Sequence, residues 1–106
     1  MAVAMWKEAN TESLRGKRAV LDVIEYRMKV LDKTACQVIQ QPKQFSFYRK
    51  GMSLKATEAQ LRAMEAVYRS PKVLYGYAYF HAKSVKPKWA AKMKGRVVIG
   101  NHVFYK

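Results

Sequence analysis

Apolar side chains recur at helical spacing through the first third of the chain. Residues 2–11 carry apolar positions that suit a short helix. A second and longer stripe begins after Ser13 and continues to about Val30, and Ser13 is a suitable N-cap for it. The pattern therefore predicts two helices in succession near the N-terminus.

Two further helices are predicted by their capping residues. Thr34 can cap a short helix that begins at residue 35 and that Pro42 ends. Thr57 is followed three residues later by Gln60, which is a capping-box signature at the start of an amphipathic stretch. The pair Ser70-Pro71 ends that fourth helix.

The periodicity changes in the last third of the chain. Residues 75–81 are aromatic and alternate as an extended strand does. Residues 82–95 are expected to form a loop with a helical turn around Trp89. Two apolar runs then flank Gly100-Asn101, which indicates a hairpin with a type II′ or I′ turn. Helices followed by a small antiparallel sheet predict one α+β domain over residues 1–106.

Composition restricts the partners of this domain. Among 106 residues, 21 Lys and Arg against 7 Asp and Glu give a formal net charge of +14. Such an excess favours polyanions as partners, namely nucleic acid, an anionic membrane face or an anionic cell envelope. No apolar run approaches the roughly 20 residues of a membrane-spanning helix. The first ten residues do not have the pattern of a secretory signal peptide.

Cysteine and histidine are too few to support a disulfide framework or a zinc site. Cys36 is the one cysteine, and its apolar neighbours predict a buried packing residue. His81 and His102 are far apart in sequence and have no carboxylate beside them, so no metal pair is indicated. We expect neither a metal nor a cofactor.

Two glutamates near the N-terminus are the first candidates for chemistry. If the first helix continues, Glu8 and Glu12 lie on one face with about 5–6 Å between their Cβ atoms. Mutual repulsion, together with desolvation by Trp6, would raise a carboxyl pKa toward that of a general acid. The alternative is a solvated pair with Lys7 or Arg15 as ion partners. Spacing alone favours this alternative.

The aromatic segment 75–81 has three interpretations. Sugar-binding clefts use aromatic faces, tyrosine hydroxyls and histidine, which this segment provides. An aromatic strand of this kind also occurs in RNA-recognition domains. That fold begins with a strand, however, whereas this chain begins with helices. Taken alone, the segment is most simply a half-buried strand.

Four segments, in order, resemble the SleB-type cell-wall hydrolases, the family of the spore cortex-lytic enzymes and related bacterial and phage proteins. The first is a pair of glutamates followed by a helix rich in Ala and Val. The others are a Val-Ile-x-x-Pro-x-Gln-Phe-Ser-Trp segment, a Gly-Ala-x-x-Phe/Tyr-His segment followed by Pro-x-Trp, and an Ile-Gly-x-His-x-Phe-Tyr ending. Here they are KEANTE at 7–12 with AVLDVIEYR, VIQQPKQFSF at 38–47, YAYFH at 77–81 with PKW at 87–89, and IGNHVFY at 99–105.

The resemblance implies a small lysozyme-like α+β fold that cleaves the MurNAc–GlcNAc β-1,4 bond of peptidoglycan, typically by lytic transglycosylation. It implies that Glu8 is the catalytic acid and that Glu12 tunes Glu8 or orients substrate. Gln44 and Ser46 would hold the acetamido group. The remaining residues expected to line the glycan cleft are Tyr77, Tyr79, His81 and Trp89.

The expected biological setting follows from the same resemblance. A phage endolysin or a virion-associated lysozyme would bind peptidoglycan glycan strands, with anionic envelope polymers as further partners. We expect a monomer or a part of a virion assembly, held in the host cytoplasm until lysis or carried in the virion. The alternative function is a basic, non-enzymatic nucleic-acid-binding module, although nucleic acid is the less expected partner.

Overall fold

The computed structural model describes residues 1–41, 45 and 47–106. Helices form the N-terminal part and strands the C-terminal part, which confirms the predicted α+β class. The elements are α1 (Ala2–Ala9), α2 (Leu14–Leu31), α3 (Ala35–Ile39), α4 (Glu58–Tyr68), β1 (Tyr79–Ala82), a 3₁₀ helix (Lys88–Lys92), β2 (Val97–Ile99) and β3 (His102–Tyr105).

The helices begin at the predicted caps. The Ser13 hydroxyl accepts a hydrogen bond from the Gly16 N–H at 3.2 Å at the start of α2. Thr34 and Thr57 each form a complete capping box, at the starts of α3 and α4. These bonds satisfy backbone donors that the first turn of a helix leaves unpaired. At the other end of α2, Asp32 adopts a left-handed conformation with φ 51° and stops the helix.

The sheet has the strand order β1-β3-β2 and is antiparallel throughout. The predicted hairpin is present, and only Gly100 of its two turn residues has positive φ (59°), as in a type II′ turn. Phe80 is paired with Phe104, so both rings lie on the same face. That inner face packs against the helices. The main core cluster contains Ala4, Ala9, Val20, Val23, Ile24, Val38, Ile39, Phe45, Phe80, Ile99 and Phe104.

The opposite face of the sheet is also covered. His81 pairs with Val103, and Tyr79 with Tyr105, so alternation places these side chains on the outer face. Val103 and Tyr105 are nevertheless buried, at 2% and 4% exposure. The segment 83–96, which includes the 3₁₀ helix, shields this face from solvent. The central strand β3 is therefore buried on both sides.

Cys36 differs from its prediction. It is exposed rather than buried, because the short helix α3 directs Val38 and Ile39 into the core and leaves Cys36 on the opposite side. In the described part of the chain, no helix is both long enough and apolar enough to span a bilayer.

Candidate active site

Glu12 ties the turn between α1 and α2 to the β2–β3 hairpin. One carboxylate oxygen, Oε1, accepts the Asn101 backbone N–H at 2.7 Å. The other, Oε2, accepts the Asn101 side-chain amide at 3.0 Å. The Nδ1 atom of His102 lies 3.4 Å from Oε1, and both side chains are almost completely buried. Residues 89 positions apart in sequence are thus joined by a single buried carboxylate.

These contacts lower the pKa of Glu12. Burial by itself raises the pKa of this carboxyl, because it disfavours the charged form. The two hydrogen bonds from Asn101 and the attraction of His102 together outweigh burial, so the net pKa lies below its ordinary value. Glu12 is consequently an ionised acceptor at neutral pH and has no proton to donate.

Gly100 approaches Glu12 too closely to carry a side chain. A Cβ atom at this position would lie 2.6 Å from the Glu12 Oε1 atom, and its φ of 59° is in the left-handed region. Glycine is therefore required at position 100 for two reasons. It adopts the positive φ of the turn, and its lack of a Cβ leaves space for the Glu12 carboxylate.

Glu8 lies in the last turn of α1 and its side chain is half-buried. Its neighbours along the helix, Ala4 and Ala9, belong to the main core cluster. Because α1 ends at Ala9, the condition for placing Glu8 and Glu12 on one helical face is not met. The two carboxylates have different environments. Glu8 lies at the edge of the core, whereas Glu12 is held under the hairpin.

The aromatic residues expected in the cleft are divided between two environments. The rings of His81, Trp89 and Tyr105 meet on the outer face of the sheet, with centroids 5.5–5.9 Å apart. Tyr79 lies 6.0 Å from Trp89 and also faces the Arg27 guanidinium, 5.3 Å away. Trp89 is exposed, and the cluster lies across the sheet from the helical core that contains α1.

Tyr77 packs against the core cluster, and its ring faces the Lys106 ammonium at 5.6 Å. Its position differs from that of the outer-face rings. Gln44 and Ser46 lie outside the described residues. Their neighbours Phe45 and Phe47 pack edge to face at 6.3 Å, and Phe45 packs in the same way on Phe80 at 5.7 Å.

Both ring nitrogens of His81 are already bonded within the protein. Nδ1 lies 2.8 Å from the Ala82 carbonyl and Nε2 lies 2.9 Å from the Tyr105 hydroxyl. A neutral imidazole with its proton on Nδ1 satisfies both contacts, since Nε2 then accepts from the tyrosine. A sugar hydroxyl would have to displace one of these partners to bind His81.

Arg27 is a residue that the sequence did not single out. It is buried on α2, donates a hydrogen bond to the Ala78 carbonyl at 3.0 Å and also donates to the Gln41 side chain. Burial lowers the pKa of its guanidinium, and the interaction with Tyr79 opposes this. The sequence did contain one indication of this buried role, because Arg27 occupies a position on the apolar stripe of α2.

The model of the family described as Cell Wall Hydrolase matches residues 11–105. This chain belongs to the cell wall hydrolase family. Within this family match lie Glu12, Gly100, Asn101 and His102, whereas Glu8 precedes its first residue by three positions. A comparison with curated proteins finds no match.

Two solved structures resemble the whole chain of this family member. One is the catalytic domain of the germination-specific lytic transglycosylase SleB from Bacillus anthracis, with a TM-score of 0.78 and 25% sequence identity. The other is the catalytic domain of the Bacillus cereus SleB protein, with a TM-score of 0.77 and 25% identity. Each match covers 100% of this chain, and 90% and 86% of the respective neighbour. The predicted resemblance to SleB-type cell-wall hydrolases is confirmed.

Proposed function

We propose that this protein cleaves the β-1,4 bond between MurNAc and GlcNAc in peptidoglycan as a lytic transglycosylase, with Glu8 as the general acid and base. Membership of the cell wall hydrolase family supports peptidoglycan as the substrate. Similarity along the whole chain to a SleB lytic transglycosylase domain supports the reaction type. The assignment of Glu8 as the acid rests on the difference in burial between the two glutamates, since Glu8 is half-buried whereas Glu12 is buried beneath the hairpin.

The other carboxylates are less suited to donate a proton to a bound sugar. A general acid needs a carboxyl that substrate can reach and that its surroundings partly desolvate. Glu12 and Asp22 are buried and accept backbone N–H bonds, Glu25 and Glu58 are ion-paired with arginines, and Asp32 and Glu65 are exposed on the surface. Burial therefore leaves Glu8 and Glu25 as candidates, and Glu8 is the one that occupies the first glutamate position of the segment that resembles the family.

The reaction requires one group that gives and then takes a proton. Glu8 in its acid form protonates the glycosidic oxygen as the bond to C1 of the muramyl residue breaks. The resulting carboxylate then accepts the proton of the muramyl C6 hydroxyl while that oxygen attacks C1 and forms the 1,6-anhydro ring. Since the nucleophile belongs to the substrate, no second carboxylate across the sugar is needed.

Glu12 acts in this proposal as a positioning residue. Glu8 and Glu12 are four residues apart, and the chain between them turns sharply from α1 to α2. By binding Asn101, Glu12 holds this turn against the hairpin and thereby fixes the end of the helix that carries Glu8. Its effect on catalysis is exerted through Glu8 and not on the sugar itself.

Glu8→Gln tests the assignment of the acid. Clearing of a purified peptidoglycan suspension should be lost at least 100-fold in Glu8→Gln and retained in Glu65→Gln, which removes an exposed carboxylate elsewhere. Circular dichroism of both variants shows whether they are folded. Clearing by folded Glu8→Gln at the wild-type rate would rule out Glu8 as the acid.

The products test the reaction type. Mass spectrometry of the released muropeptides should show fragments 18 Da lighter than the hydrolysed forms, because the anhydro ring replaces the addition of water. Reducing ends alone would indicate hydrolysis. We also propose that the protein is of phage origin and is a monomer unless it is part of a virion assembly. Size-exclusion chromatography with light scattering tests the monomeric state.

A further inference from the structure

The outer face of the sheet contains a cavity that the proposed chemistry does not use. It has a volume of about 540 Å³ and lies between the end of β1, the 3₁₀ helix and the start of β2. This volume is in the range of small-molecule sites. His81, Val103 and Tyr105 form its wall on the side of the sheet. Because these residues face away from the helices, the cavity is separate from the region of Glu8.

The rim of the cavity is cationic. Lys83, Lys86 and Arg96 line it, and no carboxylate does so. The surrounding sequence has the same bias, since residues 66–106 contain nine Lys and Arg and no Asp or Glu. The ion pairs of Arg18, Arg62 and His102 lie elsewhere in the molecule. Within the part of the chain that the structure describes, none of these ion pairs involves a rim cation, so these charges are available to an anionic ligand.

We propose that this cavity binds a phosphate ester of a sugar or polyol, as found in anionic polymers of the cell envelope. Three cations that line one cavity match a phosphate ester better than a carboxylate, because the ester keeps at least one full negative charge and presents two or three acceptor oxygens around a tetrahedral centre, which cations can approach from several directions. The guanidinium of Arg96 can bind two of those oxygens at once. The choice of an envelope polymer as the source depends on the proposed function, whereas the phosphate site itself does not.

The rings beside the cavity favour this ligand over a nucleic acid. Single-stranded nucleic acids bind through bases that stack on accessible aromatic faces. Here the rings of His81 and Tyr105 stack on each other, 5.5 Å apart and inclined by 28°, and they share a hydrogen bond. Tyr105 is also buried. Because each of these two rings is covered by the other, neither offers a free face on which a base could stack.

Titration calorimetry at about 150 mM ionic strength tests the site with defined probes. The probes are an oligomer of glycerol phosphate and a glucosamine phosphate, which separate a polyol source from a sugar source, with inorganic phosphate as the reference. The variant Lys83→Gln/Lys86→Gln/Arg96→Gln should bind the preferred ester at least 10-fold more weakly than wild type. The variant Lys29→Gln/Lys33→Gln/Lys55→Gln loses the same charge at exposed positions elsewhere. It should differ from wild type by less than 2-fold.

Three results would overturn the proposal. These are no binding of either ester by the wild type, equal weakening in both triple variants, or tighter binding of a single-stranded oligonucleotide through the same three residues. If the triple variant does not fold, Arg96→Gln alone should weaken binding about 3-fold or more. Because binding is measured without peptidoglycan, Glu8→Gln should bind the ester as wild type does. The binding test therefore gives a valid result even if Glu8 proves not to be the catalytic acid.

Discussion

The Glu12 carboxylate receives two hydrogen bonds from Asn101, one from the backbone N–H at 2.7 Å and one from the side-chain amide at 3.0 Å. This pairing joins the turn that follows α1 to the turn between β2 and β3. Together with the His102 Nδ1 atom, which lies 3.4 Å from Oε1, it links the N-terminal turn of the candidate active site to the sheet.

Loss of the Glu12 carboxylate should destabilise the fold. In Glu12→Ala the part-buried N–H of Asn101 loses its acceptor and the buried His102 loses its carboxylate neighbour, so we expect the free energy of unfolding to fall by about 2–4 kcal/mol. Glu65→Ala removes an exposed carboxylate and should change it by less than about 0.5 kcal/mol. Urea unfolding followed by circular dichroism measures both. Equal stability of the two variants would contradict a structural role for Glu12.

The positioning role of Glu12 predicts a specific kinetic change. At a temperature where Glu12→Gln is fully folded, kcat on a soluble glycan oligomer should fall about 10-fold, because Glu8 is less well held. KM should change by less than about 2-fold, since Glu12 does not touch the sugar in this mechanism. An increase in KM with unchanged kcat would instead indicate direct substrate binding by Glu12.

Gly100→Ala should be more harmful than an equivalent substitution at Gly76. Both glycines have positive φ, at 59° and 74°, but a Cβ at Gly76 meets no atom within 4 Å. Gly76→Ala therefore costs only the backbone strain, about 1 kcal/mol. Gly100→Ala also forces the buried Glu12 carboxylate away from Asn101 and should cost about 2 kcal/mol more, because two hydrogen bonds are lost. Thermal unfolding of the two variants makes the comparison, and equal shifts in Tm would refute it.

The lowered pKa of Glu12 predicts a pH dependence of stability. A carboxyl with a lowered folded-state pKa stabilises the fold fully above its unfolded value, near 4.5, and loses this contribution as the pH falls through the folded value. The difference in Tm between wild type and Glu12→Gln should therefore be largest above about pH 5 and should narrow toward pH 3. Thermal scans across this range provide the measurement. A difference that widens on acidification would have the wrong sign.

Arg27→Lys should destabilise the protein despite the conserved charge. The guanidinium donates to both Ala78 and Gln41, and an ammonium on a flexible stem cannot reproduce that planar geometry. We expect a loss of about 1–3 kcal/mol. Arg62→Lys, in an exposed pair with Glu58, should change stability by less than about 0.5 kcal/mol. Denaturant unfolding measures the free energy of unfolding of both variants. A similarly small change in both would argue against a stabilising role for the hydrogen bonds of Arg27.

The sequence by itself determined the secondary structure and its order. Caps and turns depend on residues a few positions apart, so Ser13, Thr34 and Thr57 marked helix starts and Gly100-Asn101 marked the hairpin. Four short segments in order were also enough to indicate the family.

Two predictions differed from the structure. The strand predicted over 75–81 begins only at Tyr79, because Gly76 turns the chain with a φ of 74°. Cys36 is exposed, because its local apolar neighbours did not reveal which side of a five-residue helix would face the core.

Only the tertiary structure decided which distant residues meet. Glu12 was separated from Asn101 by 89 positions, and no periodicity relates a helix turn to a hairpin turn. Strand pairing likewise decided that His81 would bond to Tyr105 and face away from the helical layer. Such contacts depend on how the sheet packs on the helices. That packing is fixed by the burial of the whole core and not by any local pattern.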